Sequence, residues 1–262
     1  MLTNILQSIG RTPLLRLNAL GADLPGTVWL KLENRNPGGS IKDRVAFHVI
    51  DKTMEWGDIE AGGTIVEATS GNLGIGIALV AAVRGLHCVL TMPDSMSVER
   101  RNLLHALGAE LVLTPAAEGM KGAIRVAEAL AEERNGLLFG QFSNPLAVEA
   151  HYLTTGPEIL ADSVGHVDVL VAGVGSGSSI TGTGRFLKEN IPGFKVMAVE
   201  PAESPVLSGG QAGQHGIQGI GANFVPAILD RGLLDEIIQV ADALMVARGD
   251  MGVEIALEEI PI

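Results

Sequence analysis

Residues 64–84 have the sequence TIVEATSGNLGIGIALVAAVR. Residues 64–68 form an apolar, β-branched run of strand length, and residues 72–84 are rich in Ala, Ile and Leu, which is typical of a helix. The polar residues between the two runs predict a strand-to-helix turn. In open parallel sheets, ligands bind beyond the carboxyl ends of the strands, where such turns lie. This stretch therefore predicts a β–α fold and a region in which to look for a functional site.

The same alternation of strand and helix patterns continues on both sides. The predicted strands are residues 28–32, 64–68, 87–92, 110–114, 137–139, 167–172 and 195–200. The predicted helices are residues 40–56, 72–84, 97–107, 119–135, 145–163 and 179–190. Apolar strands that alternate with helices predict an α/β fold with a mostly parallel sheet covered by helices.

Composition argues against several classes of function. The chain has 262 residues and a formal net charge of −12, so it should repel nucleic acids and anionic membrane surfaces. No apolar run approaches the ~20 residues of a membrane span, and the N-terminus lacks a secretory pattern. The single cysteine, Cys88, lies in an apolar run and is expected to be a buried thiol. We therefore expect a cytoplasmic protein without nucleic-acid, membrane or metal partners.

The first turn that could carry chemistry is NPGGSIKDR, residues 36–44. Lys42 falls in the first turn of a predicted helix, where the positive end of the helix dipole disfavours a charged amine. Only a neutral amine attacks an aldehyde, so a lysine with a lowered pKa suits Schiff-base chemistry. An ordinary surface lysine is the alternative interpretation.

Two further turns predict anion binding. Residues 67–74, EATSGNLG, end a strand and begin a helix, and they place backbone N–H groups and small hydroxyls at the helix start, although a helix cap and a tight turn would also explain them. Residues 173–182, GVGSGSSITG, follow a predicted strand and open a helix, as phosphate-binding loops do. A flexible glycine-rich loop is the alternative. A fourth segment, IQGIGA at residues 217–222, gives no prediction from its residues alone.

Together and in this order, the four segments resemble those of the cysteine synthase and cystathionine β-synthase group of pyridoxal-phosphate (PLP) enzymes. The resemblance extends over residues 5–240 and includes IGRTPL at 9–14, MPDSMS at 92–97, QFSNP at 141–145 and TTGPEI at 154–159. It implies PLP fold type II, an α/β fold of two open, mostly parallel sheets flanked by helices. Residues 1–40 and 146–240 would form a larger domain that binds the PLP phosphate, and residues 41–145 a smaller, mobile domain with the substrate loop.

The resemblance also implies the roles of individual residues. Lys42 would hold PLP as a Schiff base and act as the catalytic base, and Asn72 would hydrogen-bond the ring hydroxyl of PLP. The phosphate would be held by Gly175, Ser176, Gly177, Ser178 and Ser179. The substrate would be bound by Thr69, Ser70, Gly71, Gln141 and Gly219.

The implied activity is PLP-dependent β-replacement, which forms L-cysteine from O-acetyl-L-serine and sulfide. The family is usually dimeric, so a homodimer is expected. Two alternatives stay open: a cystathionine β-synthase-like or thiosulfate-using relative, and a catalytically impaired PLP-fold protein. Such a protein could serve as a binding module for the C-terminal tail of serine acetyltransferase.

Two features depart from the family pattern. Leu73 stands where family members commonly have Thr, and the loss of that hydrogen-bond donor could weaken substrate binding by about 1–3 kcal/mol. Packing against the next helix is the other interpretation of Leu73.

The second departure is an atypical tail, residues 241–262. Its MVARGD stretch, residues 245–250, resembles a pyruvate kinase segment, although no kinase activity is expected. The family has instead a Ser-Gly-rich segment whose serine hydrogen-bonds the pyridine nitrogen. We therefore expect a truncated or replaced C-terminal part that impairs turnover more than PLP binding, unless Arg248 or Asp250 replaces that serine.

Overall fold

The computed structural model describes residues 1–19, 25–69 and 71–241. The predicted tail from residue 242 on, including Arg248 and Asp250, lies outside the described residues, as does Ser70. The chain divides into two compact units, each assembled from separate pieces of sequence. Unit 1 contains Met1–Gly10 and Asn36–Ala147, and unit 2 contains Arg11–Arg35 and the chain from Val148 on.

The described elements follow the predicted alternation. The strands are β1 (Leu14–Arg16), β2 (Trp29–Lys31), β3 (Thr64–Ala68), β4 (His87–Pro93), β5 (Glu110–Thr114), β6 (Leu137–Leu138), β7 (Val169–Gly173), β8 (Lys195–Pro201) and β9 (Glu236–Val240). The α-helices are α1 (Lys42–Trp56), α2 (Asn72–Arg84), α3 (Val98–Ala106), α4 (Gly119–Glu133), α5 (Pro145–Leu153), α6 (Thr155–Asp162) and α7 (Ser178–Asn190). Among the described residues, no helix has the length and apolar character needed to span a bilayer.

Unit 1 is built on a parallel sheet with the strand order β5-β4-β3-β6. Small side chains of α4 pack against this sheet: Ala123, Ala127 and Ala131 form one buried cluster with Val66 and Val89. Alanines on the helix let it approach the β-branched strands closely. Because β3 and β6 are parallel neighbours, the segments that follow them emerge at the same edge of the sheet.

The described residues of unit 2 contain a parallel sheet with the order β7-β8-β9 and a two-stranded antiparallel ladder, β1-β2. Its core joins Ile180 and Leu187 of α7 to Val196 and Ala198 of β8. The packing fixes α7 against the sheet, so the turn between β7 and α7 is held from both sides. The two parallel sheets flanked by helices confirm the predicted fold class.

One helix prediction was wrong. The predicted helix 145–163 is two helices, α5 and α6, because the backbone leaves the helical region at Thr154, with φ −124° and ψ −65°. The Thr154 hydroxyl donates to the carbonyl of Ala150 at 2.6 Å, as threonine does when it competes with helical hydrogen bonds. The strands β1 and β9 were not predicted.

Candidate functional site

Lys42 is the first residue of α1, as the sequence predicted for a residue in the first turn. Its backbone N–H donates to the Ser40 hydroxyl at 3.2 Å, and Asp43 accepts from the Gly38 N–H at 2.5 Å. These bonds tie the preceding glycine turn to the helix start. Burial lowers the pKa of the Lys42 amine, because desolvation disfavours the ammonium form. The direction agrees with the prediction, but burial is its cause, whereas the sequence argument used the helix dipole.

Four of the predicted residues fall between the end of β3 and the start of α2, and the structure describes three of them. Thr69 is buried, and its backbone N–H continues the β3–β4 pairing by donating to the Thr91 carbonyl at 3.1 Å. The Gly71 N–H donates to the Thr69 hydroxyl at 3.2 Å, which folds the turn back on itself. Asn72 follows as the first residue of α2. Ser70, also predicted to bind substrate, lies outside the described residues.

Helix α2 approaches α1 closely near these residues. A Cβ added at Gly76 would lie 3.2 Å from the Lys42 carbonyl oxygen and 3.1 Å from the Ala46 Cβ, so glycine permits this contact. Asn72 lies four residues earlier, about one turn along α2. Within unit 1, Lys42 and Asn72 therefore stand on two helices that touch.

Gln141 lies at the same sheet edge as Thr69, as expected from the parallel pairing of β3 and β6. Its backbone N–H donates to a Glu67 carboxylate oxygen at 3.1 Å. Its side-chain amide donates to the Ala68 carbonyl at 3.1 Å. The structure thus brings Thr69, Gly71 and Gln141 to one end of β3.

Glu67 begins the second predicted turn, but its residue type alone gave it no role in the site. Its side chain is 4% exposed, and burial raises the pKa of its carboxyl to about 7, against the opposing effect of hydrogen bonds from Gln141 and Ala68. The signal was available: a lone carboxylate in an apolar run, two residues before the polar residues of that turn. A buried ionisable group of this kind needs a compensating set of donors.

Leu73 is also buried, with 3% of its surface exposed. Its burial agrees with the interpretation that this residue packs inside unit 1. Cys88 is buried too, and desolvation raises the pKa of its thiol to about 12, which confirms the predicted buried thiol.

In unit 2, the predicted phosphate loop connects β7 to α7. Gly177 precedes the helix with φ +83°, a left-handed conformation that favours glycine. The hydroxyls of Ser176 and Ser178 are buried and lie 3.1 Å apart, and Ser179 follows in the first turn of α7. By helix geometry the N–H groups of that first turn have no partner within the helix, as at the helix N-termini where proteins bind anions.

The segment 217–222 packs against this loop. A Cβ added at Gly175 would lie 2.3 Å from the Gly219 carbonyl oxygen, so the close approach requires glycine at 175. The Gly221 N–H donates to the Val174 carbonyl at 2.9 Å, and His215 contacts the Gly221 carbonyl at 2.9 Å. Unit 2 therefore brings Gly175 and Gly219 together, although sequence reasoning gave no role to the second segment without the resemblance.

Each unit offers a chemical group of its own. In unit 1, Lys42 offers an amine whose lowered pKa suits attack on an aldehyde. In unit 2, residues 175–179 offer a glycine-lined helix N-terminus of the kind that binds phosphates. No group of three His, Cys, Asp or Glu side chains within residues 1–19, 25–69 and 71–241 has the arrangement of a metal site.

A family model described as "Pyridoxal-phosphate dependent enzyme" matches residues 5–249. The chain belongs to this family. PLP is therefore the cofactor of this PLP-dependent enzyme, as the resemblance implied.

Individual proteins similar to this chain include cysteine synthases and an O-ureido-L-serine synthase. The enzyme is 50% identical over 240 residues to a cysteine synthase of Staphylococcus aureus strain N315, covering 91% of this chain and 77% of the relative. A crystal structure of cysteine synthase from Entamoeba histolytica matches with a TM-score of 0.89 and 41% identity, covering 92% of this chain and 73% of that one. The structure of an O-ureido-L-serine synthase matches with a TM-score of 0.88 and 42% identity, covering 92% and 76%. The resemblance to the cysteine synthase group is confirmed.

Proposed function

We propose that this enzyme is a cysteine synthase, which forms L-cysteine from O-acetyl-L-serine and sulfide by β-replacement. The observation that carries the proposal is the Lys42 amine of lowered pKa in the same compact unit as Thr69, Gly71 and Gln141, the predicted substrate-binding residues at the end of β3. The 50% identity to a cysteine synthase over 91% of the chain supports the same reaction.

Lys42 has two roles in the proposal. Its Nζ would hold the aldehyde group of PLP, and the same amine would take the α-proton of the amino-acid substrate. PLP, when bound, supplies the electron sink that makes this proton acidic. The bond from Cβ to the acetate oxygen then breaks, and sulfide forms the new C–S bond. Lys42 returns the proton to Cα.

The remaining predicted residues bind and orient. Thr69, Gly71 and Gln141 would bind the α-carboxylate of the substrate, and Ser70 keeps the same predicted role. Asn72 would hydrogen-bond the PLP ring hydroxyl. The phosphate would be held by Gly175, Ser176, Gly177, Ser178 and Ser179. Gly219 would lie near the amino-acid substrate, on a segment that shields the site from water.

The test is visible absorbance of the purified enzyme with PLP, followed by additions of O-acetyl-L-serine and then sulfide. We expect a Schiff-base band that changes with O-acetyl-L-serine and returns as cysteine appears. Lys42→Ala should abolish the band and cysteine formation, whereas Lys121→Ala, at an exposed position on α4, should preserve both. Homocysteine and thiosulfate serve as competing nucleophiles. A band that does not respond to O-acetyl-L-serine would contradict the proposal. A faster reaction with homocysteine or thiosulfate would show that sulfide is not the nucleophile that this enzyme prefers.

We also propose that the enzyme is a cytoplasmic homodimer and that the C-terminal tail of serine acetyltransferase occupies its substrate site. The support is the family resemblance and the anion-binding turn, since a peptide carboxylate resembles the α-carboxylate of the substrate. Light scattering during gel filtration measures the oligomeric state. A synthetic tail peptide should compete with O-acetyl-L-serine. A monomer in gel filtration would refute the homodimer, and a reaction rate that the peptide does not change would refute the binding of the tail.

A further inference from the structure

Strand β6 is too short to hold Gln141 by backbone pairing. It pairs with β3 only at Ile65–Leu137 and Val66–Leu138, after which the Phe139 N–H donates to the Val66 carbonyl at 3.0 Å. Gly140 then turns the chain with φ +70°. Gln141 lies beyond the end of the ladder, so another group has to fix its position.

That group is the side chain of Glu67. Its Oε2 accepts the Gln141 backbone N–H at 3.1 Å, in place of a backbone carbonyl. Its Oε1 accepts the Ala68 N–H at 2.9 Å and lies 3.5 Å from the Gln141 side-chain nitrogen. The same nitrogen donates to the Ala68 carbonyl at 3.1 Å. Gln141 is thus held at both its backbone and its side chain by two consecutive residues of β3.

The partners of Glu67 explain why a carboxylate occupies this place. All of them are N–H donors, and above pH 7, where Glu67 is ionised, the carboxylate accepts through both oxygens without offering a donor of its own. A glutamine at this position would turn an NH₂ group toward at least one of these donors. No cation of the described chain takes part, since the influences on the pKa of Glu67 are desolvation and hydrogen bonds alone.

The geometry also leaves Gln141 able to bind a ligand. One N–H of its side-chain amide is committed to Ala68 at 3.1 Å, whereas the contact of the amide with Glu67, at 3.5 Å, is at the limit of a hydrogen bond. A carboxylate that entered beside Thr69 would find the second N–H weakly engaged and already oriented.

We propose that Glu67 is a positioning residue, which holds Gln141 in the orientation that binds the α-carboxylate of the amino-acid substrate. This inference rests on the proposed function. Glu67 acts through Gln141 and does not itself contact the substrate. Loss of Glu67 should therefore weaken substrate binding and leave the proton transfer by Lys42, which stands on α1, largely intact.

The test is a double-mutant cycle on the PLP-loaded enzyme with the variants Glu67→Gln, Gln141→Ala and the double variant. The binding probe is L-serine, which carries the same α-carboxylate but no acetate, and its Kd is measured by calorimetry. KM and kcat for O-acetyl-L-serine are measured in parallel. Glu128→Gln, at an exposed position on α4 in unit 1, is the matched control for the loss of one charge.

We expect Glu67→Gln to raise the Kd of L-serine and the KM of O-acetyl-L-serine about tenfold, with a smaller change in kcat. Gln141→Ala should have a similar effect, and the double variant should bind no worse than Gln141→Ala alone. Glu128→Gln should behave as wild type. Hydrogen exchange should show lost protection of the Gln141 backbone amide in Glu67→Gln.

Several results would overturn the proposal. They are an unchanged Kd in Glu67→Gln, additive effects in the double variant, or a Gln141 amide that stays protected. A wild-type enzyme that does not bind L-serine would overturn it as well. Failure of the proposed function is a separate result, since absent cysteine formation still leaves the L-serine constants and the amide exchange to be measured. If Glu67→Gln does not fold, Glu67→Asp provides the same test, because its shorter carboxylate cannot reach Gln141, and wild-type binding by that variant would refute the inference.

Discussion

The buried carboxyl of Glu67 should make the stability of this enzyme fall as pH rises. In the unfolded chain the group titrates near the ordinary glutamate pKa of 4.5, whereas in the folded protein burial raises the pKa to about 7. Between these values the folded state binds a proton that the unfolded state has released. The stabilising contribution is therefore fully present below pH 4.5 and is lost progressively as pH rises through 7.

The size of the effect follows from the shift. Each unit of pKa corresponds to about 1.4 kcal/mol, so titration of this single group from pH 5 to pH 8 should remove about 2–3 kcal/mol of unfolding free energy. Glu67→Gln cannot ionise and should lack this loss. Relative to wild type, the variant should thus gain about 2–3 kcal/mol in going from pH 5 to pH 8, whatever its absolute stability.

The assay is urea denaturation of wild type and Glu67→Gln at pH 5, 6, 7 and 8, with the same PLP loading. All other titrating groups are common to the two proteins and cancel in the difference. Glu128→Gln, exposed on α4, controls for the removal of one acidic group and should follow the wild-type pH profile. The reasoning would be refuted if the difference in unfolding free energy between wild type and Glu67→Gln stayed constant within about 0.5 kcal/mol from pH 5 to pH 8.

Three further predictions concern single positions. Gly175→Ala should lose PLP on dialysis, because its Cβ would lie 2.3 Å from the Gly219 carbonyl oxygen, and retention of the visible band at the wild-type level would contradict this. Leu73→Thr should lower the unfolding free energy by about 2–3 kcal/mol, because the smaller side chain leaves a void and buries a hydroxyl. Urea denaturation measures this free energy. An unchanged or higher stability would show that Leu73 does not pack in the core. Cys88 should react with a thiol reagent only in denaturant, because the residue is 4% exposed and burial raises the pKa of its thiol to about 12. Rapid labelling of the native enzyme would disprove this burial.

Much of the fold could be predicted because local pattern and tertiary structure agree. Thr64–Ala68 and Asn72–Arg84 have the predicted bounds, since an apolar β-branched run and an alanine-rich run are separated by a short polar turn. The break at Thr154 was missed because a hydroxyl-to-carbonyl bond leaves no trace in the apolar periodicity around it. Strand β1 escaped prediction because its three residues form only a short ladder with β2.

The sequence predicted those site residues whose chemistry follows from their residue type alone. Lys42 and the glycine-rich loop at 173–182 stand out because few residues supply a nucleophilic amine or a close backbone approach. Glu67 did not stand out, because its role depends on Gln141, which is 74 positions away in the chain and becomes a neighbour only through the β3–β6 pairing. The individual roles assigned by resemblance stay predictions until the variants are measured.

The discontinuous composition of unit 2 has a consequence during synthesis on the ribosome. Arg11 donates its backbone N–H to Glu158 at 2.9 Å, and Lys31 forms an ion pair with the same carboxylate at 2.9 Å. The residues that separate Lys31 from Glu158 take roughly 6–25 s to synthesise at ordinary translation rates. For that time Arg11 and Lys31, which lie beside and within the β1–β2 ladder, lack the Glu158 carboxylate that they contact in the folded chain. Unit 1, whose last residue is Ala147, can fold around its own core while this early segment waits.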